Sequence, residues 1–127
     1  MPLNRRSILI MEATGANASV TSQAIKGDSY YGYSDGLHTI QLVYGSSFAG
    51  NVHIQASLEL EPITSDWFDI SPTSTGTSFT TIGTETYAII PGLTGSEAYT
   101  FTGNYPNIRV YMEGRTAGQI NKAIMSA

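Results

Sequence analysis

The sequence predicts an all-β protein, an antiparallel β-sandwich of jelly-roll type, and three observations carry that expectation. Apolar and polar residues alternate strictly from Val52 to Glu61. Shorter runs of the same period recur at intervals, separated by Gly-, Pro- and Asn-containing turn signals. The chain is 127 residues long, enough for one core and too short for two.

Val52, Ile54, Ala56, Leu58 and Leu60 occupy every second position, with His53, Gln55, Ser57, Glu59 and Glu61 between them. Successive side chains of a strand point to opposite faces, so this spacing buries one face and wets the other. A helix would scatter the same residues around its circumference. Ile40, Leu42 and Tyr44 repeat the pattern, and Gly45 to Gly50 read as a turn into the next strand. Tyr99 and Phe101 form another such run, as do Ile108, Val110 and Met112. Between these two runs, Gly103-Asn104-Tyr105-Pro106-Asn107 reads as a turn, because Pro cannot donate to a central ladder. Further strands are expected at Ile8–Glu12, Val20–Ile25, Phe79–Ile82 and Tyr87–Ile90, with a polar loop over Ser71–Ser78. Ile120, Ala123, Ile124 and Ala127 have helical spacing, whereas Ile120, Lys122 and Ile124 suit a strand; closure of a sandwich favours a final strand. Short strands at this spacing indicate a sandwich or barrel. Residues 1–26 are expected to form an N-terminal extended arm or first strands, and 27–127 the β-sandwich domain.

Composition narrows the function. Hydrophobic residues make up 41% of the chain, so a packed core is expected rather than disorder. Charged residues make up only 13%, about half the usual share. Ser, Thr, Gly, Asn and Gln fill the surface instead, which suits packing against protein copies or sugars. The formal net charge is -4, and Arg5-Arg6 is the only adjacent basic pair, so the basic footprint of nucleic-acid binding is missing. No cysteine is present, so burial and sheet hydrogen bonds must hold the fold. Arg5-Arg6 followed by Ile8–Met11 imitates the start of a secretion signal, but Glu12 ends the apolar run below the roughly 7–15 residues required. No run approaches the ~20 apolar residues of a spanning helix, and a soluble protein without membrane contact is expected.

An enzyme needs a constellation of reactive groups, and none is legible. His38 and His53 carry no accompanying H-E-x-x-H or G-x-S-x-G spacing, so structural roles are expected for both. His53 falls on the solvent face of the best strand. Asp66 and Asp69 flank Trp67-Phe68, and Glu59 and Glu61 share a strand face. Their spacing matches no calcium loop, and Asp66 is placed to cap a turn. No catalytic residue, cofactor or metal ligand is expected. Trp67, Phe68, Ile54, Leu58, Phe101 and Val110 are the expected core anchors. Tyr30, Tyr31 and Tyr33 stand among glycines and acids, where rigid amphipathic rings suit a protein interface, a sugar platform or the capping of the sandwich end. Together with Arg5, Arg6, Ile8 and Ile10 they form the expected interface.

The run Lys26-Gly27-Asp28-Ser29-Tyr30-Tyr31-Gly32-Tyr33 and then Gly36-Leu37-His38-Thr39-Ile40 resembles a module of tailed-bacteriophage virion proteins. The resemblance continues through Phe48–Leu58 and Pro62 to Asp66-Trp67-Phe68-Asp69-Ile70, and again over Phe101–Val110. It covers most of the chain after about residue 24 and rests on packing signatures, with no catalytic residue. It implies a jelly-roll-like, non-enzymatic structural protein of the virion, assembled in the host cytoplasm. A capsid decoration (cement) protein bound to the major capsid protein is implied first, as a homo-oligomer such as a trimer. A neck, tail or baseplate accessory is the alternative, as is a carbohydrate-binding module using Tyr30, Tyr31, Tyr33 or Trp67.

Overall fold

The computed structural model describes residues 7–15, 17–26, 37–74, 76–103 and 105–126. These residues are almost entirely β-strand, and every strand pairing is antiparallel. The elements are β1 (Ser7–Met11), β2 (Val20–Thr21), β3 (Ile25–Lys26), β4 (Leu37–Ser57), β5 (Phe68–Ile70), β6 (Thr73–Ser74), β7 (Phe79–Ile82), β8 (Glu85–Thr102) and β9 (Asn107–Ser126). A 3₁₀ turn at Thr64–Asp66 is the only helical element among the described residues. All strands belong to one hydrogen-bonded sheet of order β1-β9-β4-β8-β6, with β2 and β3 also on β9, β5 on β4 and β7 on β8.

The expectation of many short strands gives way here to three long ones. The runs at Ile40–Tyr44 and Val52–Ser57 are the two ends of β4, and Tyr87–Ile90 and Tyr99–Thr102 the two ends of β8. The residues from Gly45 to Gly50 do not turn the chain back; they bend β4 while it stays paired to both neighbours. Tyr44 to Phe48 on β4 is matched by only Gly95 to Leu93 on β8, and Gly45 to Ala49 by only Gln119 to Ala117 on β9. The extra residues form a bulge, which bends a strand and sharpens its twist. Ser46 and Ser47 lie there at φ 56, a left-handed conformation that few non-glycine residues adopt. Gly92 and Gly95 on β8, and Gly114 and Gly118 on β9, lie at positive φ in the matching stretches. All three long strands therefore bend together.

The core follows from the alternation. On β4, Ile40, Leu42, Tyr44, Phe48, Val52, Ile54 and Ala56 are buried, so even positions face inward on both sides of the bend. On β8 the inward set changes from Ala88 and Ile90 to Tyr99 and Phe101, a shift of parity that its bulge produces. Ile108, Val110, Met112, Ile120, Ala123 and Met125 of β9 complete the interior. Each large aliphatic side chain so buried contributes about 1.5–3 kcal/mol. Phe79 of β7 meets Tyr99 of β8 edge-on at 5.5 Å, joining the two ends of β8 across the interior.

The described residues of 7–26, a stretch expected as an arm or first strands, run along the chain's own β9. β1 pairs with Ala123–Ser126, β2 with Tyr111 and Met112, and β3 with Asn107 and Ile108. Side chains bridge the gaps. Thr14 donates its N–H to Ile120 O, and its hydroxyl accepts from Ile120 N, both at 3.0 Å. Ser22 does the same with Val110, at 2.8 and 2.9 Å. Ile10 and Ile25 are buried, so Ile10 fills this chain's core rather than reaching a neighbour.

Of the expected core anchors, Ile54, Phe101 and Val110 are buried. Leu58 and Phe68 are exposed. β4 ends at Ser57, so Leu58 has left the sheet that would have turned it inward. Phe68 lies opposite Ala56 on the short edge strand β5. Leu58 to Glu61 keep their period-two pattern but form no strand.

The bend makes a test of Gly118. A Cβ there would lie 2.5 Å from the Phe48 backbone and 2.6 Å from Gly45 O, in addition to the cost of φ +65. Gly83, in the β7–β8 turn at φ +66, has nothing within 4 Å. Gly83→Ala is expected to cost about 1–2 kcal/mol, the left-handed penalty alone, and Gly118→Ala clearly more. Urea denaturation of the two variants measures the difference, and equal midpoints would refute the shared-bend account.

Candidate functional site

Two polar constellations and one apolar surface stand out once the strands are placed. The first lies on the outward face of the β4–β9 pair. His53 is 1% exposed rather than facing solvent, because its neighbours roof it over. Tyr111, directly opposite on β9, and Tyr87 of β8 lie against its ring at 5.2 and 5.0 Å. Its Nδ1 lies 3.0 Å from Asp69 Oδ1, and its Nε2 lies 2.6 Å from Glu113 Oε2. Asp69 comes from β5, which pairs with β4 so that Asp69 faces Gln55.

Asp69 is itself tightly held. Gln55 Nε2 donates to its Oδ1 and the Thr86 N–H to its Oδ2, each at 3.0 Å. The ladder continues away from His53. Arg109, opposite Gln55 on β9, donates from Nε to Gln55 Oε1 at 2.8 Å and stacks over Trp67 at 4.3 Å. Burial draws the Arg109 pKa below its ordinary value, against the pull of Tyr111 and Asp69. Trp67 is therefore half-buried under a guanidinium instead of anchoring the core, and one face of its ring is taken. Glu85, at the start of β8, brings a further carboxylate to within 4.8 Å of the His53 and Glu113 ligand atoms.

The second constellation is internal. Tyr44 and Tyr99 are fully buried with hydroxyls 2.5 Å apart, and Tyr99 donates to Glu97 Oε1 at 2.6 Å. Because Tyr99 has one proton and gives it to Glu97, Tyr44 must donate to Tyr99. Glu97 Oε2 accepts from the Thr77 N–H at 3.1 Å, tying the loop before β7 to this chain of bonds. Burial pushes both tyrosine pKa values up, and the neighbouring Tyr44 and Glu97 raise that of Tyr99 further. The chain of bonds ties β4, β8 and the loop before β7 together through the core. His38 is likewise buried, stacked on Phe101 at 5.2 Å.

The apolar surface follows β4. Leu58, Leu60 and Ile63 are 67%, 60% and 66% exposed, and Phe68 is 41% exposed. Their backbone is nevertheless fixed. Buried Asn107 donates to Glu59 O at 2.8 Å and Leu60 O at 3.2 Å, and Ser57 Oγ accepts from the Glu59 N–H at 3.1 Å. Asp66 caps the 3₁₀ turn by accepting from the Ile63 N–H at 2.8 Å, as its position in the sequence suggests. A concave pocket of about 280 Å³ lies near this end, lined by Ser71, Thr73, Thr100, Thr102, Phe101, Tyr105 and Ile70.

The expected interface residues Arg5, Arg6, Tyr30, Tyr31 and Tyr33 lie outside the described residues, as does the side chain of Ile8. Sequence reasoning considered His53 and Asp69 separately and missed Glu85, Glu97 and Glu113. His53 and Glu113 are 60 residues apart and meet only through the β4–β9 register. Comparison with protein-family models, with curated proteins and with solved structures finds no match.

The tyrosine chain sets two stability expectations. Tyr99→Phe leaves the buried Tyr44 hydroxyl without its acceptor and half-buried Glu97 without one donor, at a cost of about 1–3 kcal/mol, and Tyr44→Phe costs less because Tyr99 keeps its acceptor. Denaturant titration should give that order. Unfolded tyrosines ionise near pH 10, whereas these two stay protonated when folded. Above about pH 10 the unfolded chain therefore binds fewer protons and stability falls, by roughly 1.4 kcal/mol per pH unit for each tyrosine. A Tyr44→Phe/Tyr99→Phe double variant should show a flatter decline between pH 10 and 11. An unchanged slope would refute the assignment.

Proposed function

We propose that the chain is a non-enzymatic assembly module, a structural protein of bacteriophage particles that adds to a repeating protein surface and stabilises it. One observation carries this reading: the loop after β4 holds Leu58, Leu60 and Ile63 out to solvent on a backbone fixed by Ser57, Asn107 and Asp66. Apolar side chains presented on a rigid frame lose little entropy when covered, which favours a protein partner. Glu59 and Glu61 alternate with them, so the matching surface is apolar and edged with Lys or Arg. The low charge of the chain supports the same reading. Capsid decoration, with the major capsid protein as partner and a trimer as the adding unit, is the form we favour. A neck, tail or baseplate site is the alternative.

The carbohydrate reading keeps one specific feature. The pocket is lined by the hydroxyl-bearing residues Ser71, Thr73, Thr100 and Thr102 together with the aromatic Phe101 and Tyr105. Trp67 is less suited to stacking a sugar, since Arg109 covers it.

The test is the composition of the particle. Mass spectrometry of gradient-purified phage encoded by the same genome should find this chain at many copies, and its absence would refute the particle reading. Leu58→Ser with Ile63→Ser should leave the denaturation midpoint within about 0.5 kcal/mol yet weaken attachment to particles at least tenfold. A glycan array that binds the chain, and loses binding in Tyr105→Ala, would replace this reading with the carbohydrate one.

A further inference from the structure

We propose that His53, Glu113 and Glu85 form a binding site for a divalent transition-metal ion of the zinc or cobalt type. A neutral imidazole carries one N–H, yet both His53 nitrogens face carboxylate oxygens, Asp69 Oδ1 at 3.0 Å and Glu113 Oε2 at 2.6 Å. Asp69 already accepts from Gln55 and from the Thr86 backbone, so it is set as an acceptor for Nδ1–H. With the proton on Nδ1, where Asp69 would accept it, the Nε2 lone pair faces Glu113. A lone pair facing a carboxylate oxygen at this distance needs a cation between or upon them, either a second proton or a metal ion.

The surroundings favour the metal. Glu85 and Glu113 place their oxygens within 4.8 Å of the His53 ligand atom and of each other. Metal-bound histidines characteristically donate their other nitrogen to a carboxylate, which fixes the ring and raises its basicity, and Asp69 occupies that position. The ring is clamped between Tyr87 and Tyr111 on rigid strands, whereas Glu113 is 31% exposed and Glu85 is at the surface. The fixed ligand is thus buried and the adjustable ones reach solvent, which gives an entry path. With metal–ligand bonds of about 2.0–2.2 Å at tetrahedral angles, Nε2 and the Glu113 oxygen would part to about 3.4 Å, a small swing for an exposed carboxylate. One nitrogen and two carboxylates leave a coordination place for water or for a partner's side chain. An imidazole ligand selects Zn²⁺, Co²⁺, Ni²⁺ or Cu²⁺ over Mg²⁺ and Ca²⁺. This site stands on residues remote in role from the apolar loop and does not rest on the assembly reading.

The experiment is titration of the intact chain at pH 7 with Co²⁺, followed by its d–d absorption, and with Zn²⁺ by calorimetry. One ion per chain is expected, displacing Co²⁺ by Zn²⁺, with a rise in melting temperature and no such response to Mg²⁺. Glu85→Gln alters only an exposed side chain and should weaken Zn²⁺ by at least tenfold without changing the apo melting temperature. Asp69→Asn should weaken it by about 10–100-fold, and Glu113→Gln or His53→Gln should remove it. Absence of Co²⁺ and Zn²⁺ binding at millimolar ion overturns the proposal. So does binding that survives both Glu85→Gln and Glu113→Gln, or nitrogen NMR showing His53 protonated at both nitrogens and unchanged by saturating Zn²⁺.

Discussion

Every other feature of this fold depends on three adjacent strands bending at the same level. β4, β8 and β9 are 21, 18 and 20 residues long, far beyond an ordinary strand. Straight strands of that length would expose both faces of a thin sheet and bury little. The bend brings the two ends of each strand toward one interior, where Phe79 can meet Tyr99 and one set of residues can serve as a core. Such a bend needs backbone that turns the left-handed way without losing its pairing. Gly92, Gly95, Gly114 and Gly118 supply it at no side-chain cost, and on β4 Ser46 and Ser47 supply it with strain. The Thr94 hydroxyl accepts from the Ser47 N–H at 3.0 Å and helps to hold that conformation.

The sheet itself was legible from the sequence, because alternation is a local property. Val52 to Ala56 and Ile40 to Tyr44 bury their even positions as their spacing requires. What alternation does not encode is continuity. Gly45-Ser46-Ser47-Phe48-Ala49-Gly50 has the composition of a turn, and a two-residue bulge needs the same permissive residues as a hairpin. The difference lies in the partners, Phe48 facing Leu93 and Ala49 facing Ala117, which are distant in sequence. The same limit explains Leu58 and Phe68. Their period is right, but the strand ends at Ser57, and Phe68, on the edge strand β5, meets the ring of Tyr105 edge-on at 5.9 Å.

His53 shows the converse. Its position marked it as outward-facing, and it is outward of the main core. Burial came from a second layer that the sequence does not announce: Tyr87 and Tyr111 beside it, β5 along the free side of β4, and Arg109 and Trp67 beyond. A polar residue on the solvent face of a long sheet becomes enclosed when its cross-strand neighbours are large aromatics. Once enclosed, its polar atoms must be satisfied, which is why Asp69 and Glu113 stand where they do. Neither pairing could be read without the register.

The edges of the sheet connect the two surfaces. The β9 edge is closed by the chain's own residues 7–26, held by β1, β2, β3 and the Thr14 and Ser22 bridges, so it is no template for adding another strand. The fixed apolar loop from Leu58 to Ile63 carries the most exposed large apolar side chains among the described residues. That loop is tied through Asn107 to the first residue of β9, the strand that also carries Arg109, Tyr111 and Glu113. A rigid strand thus spans from the apolar surface to the His53 cluster. The same strand therefore carries both Asn107, which holds the loop, and Glu113, which faces His53.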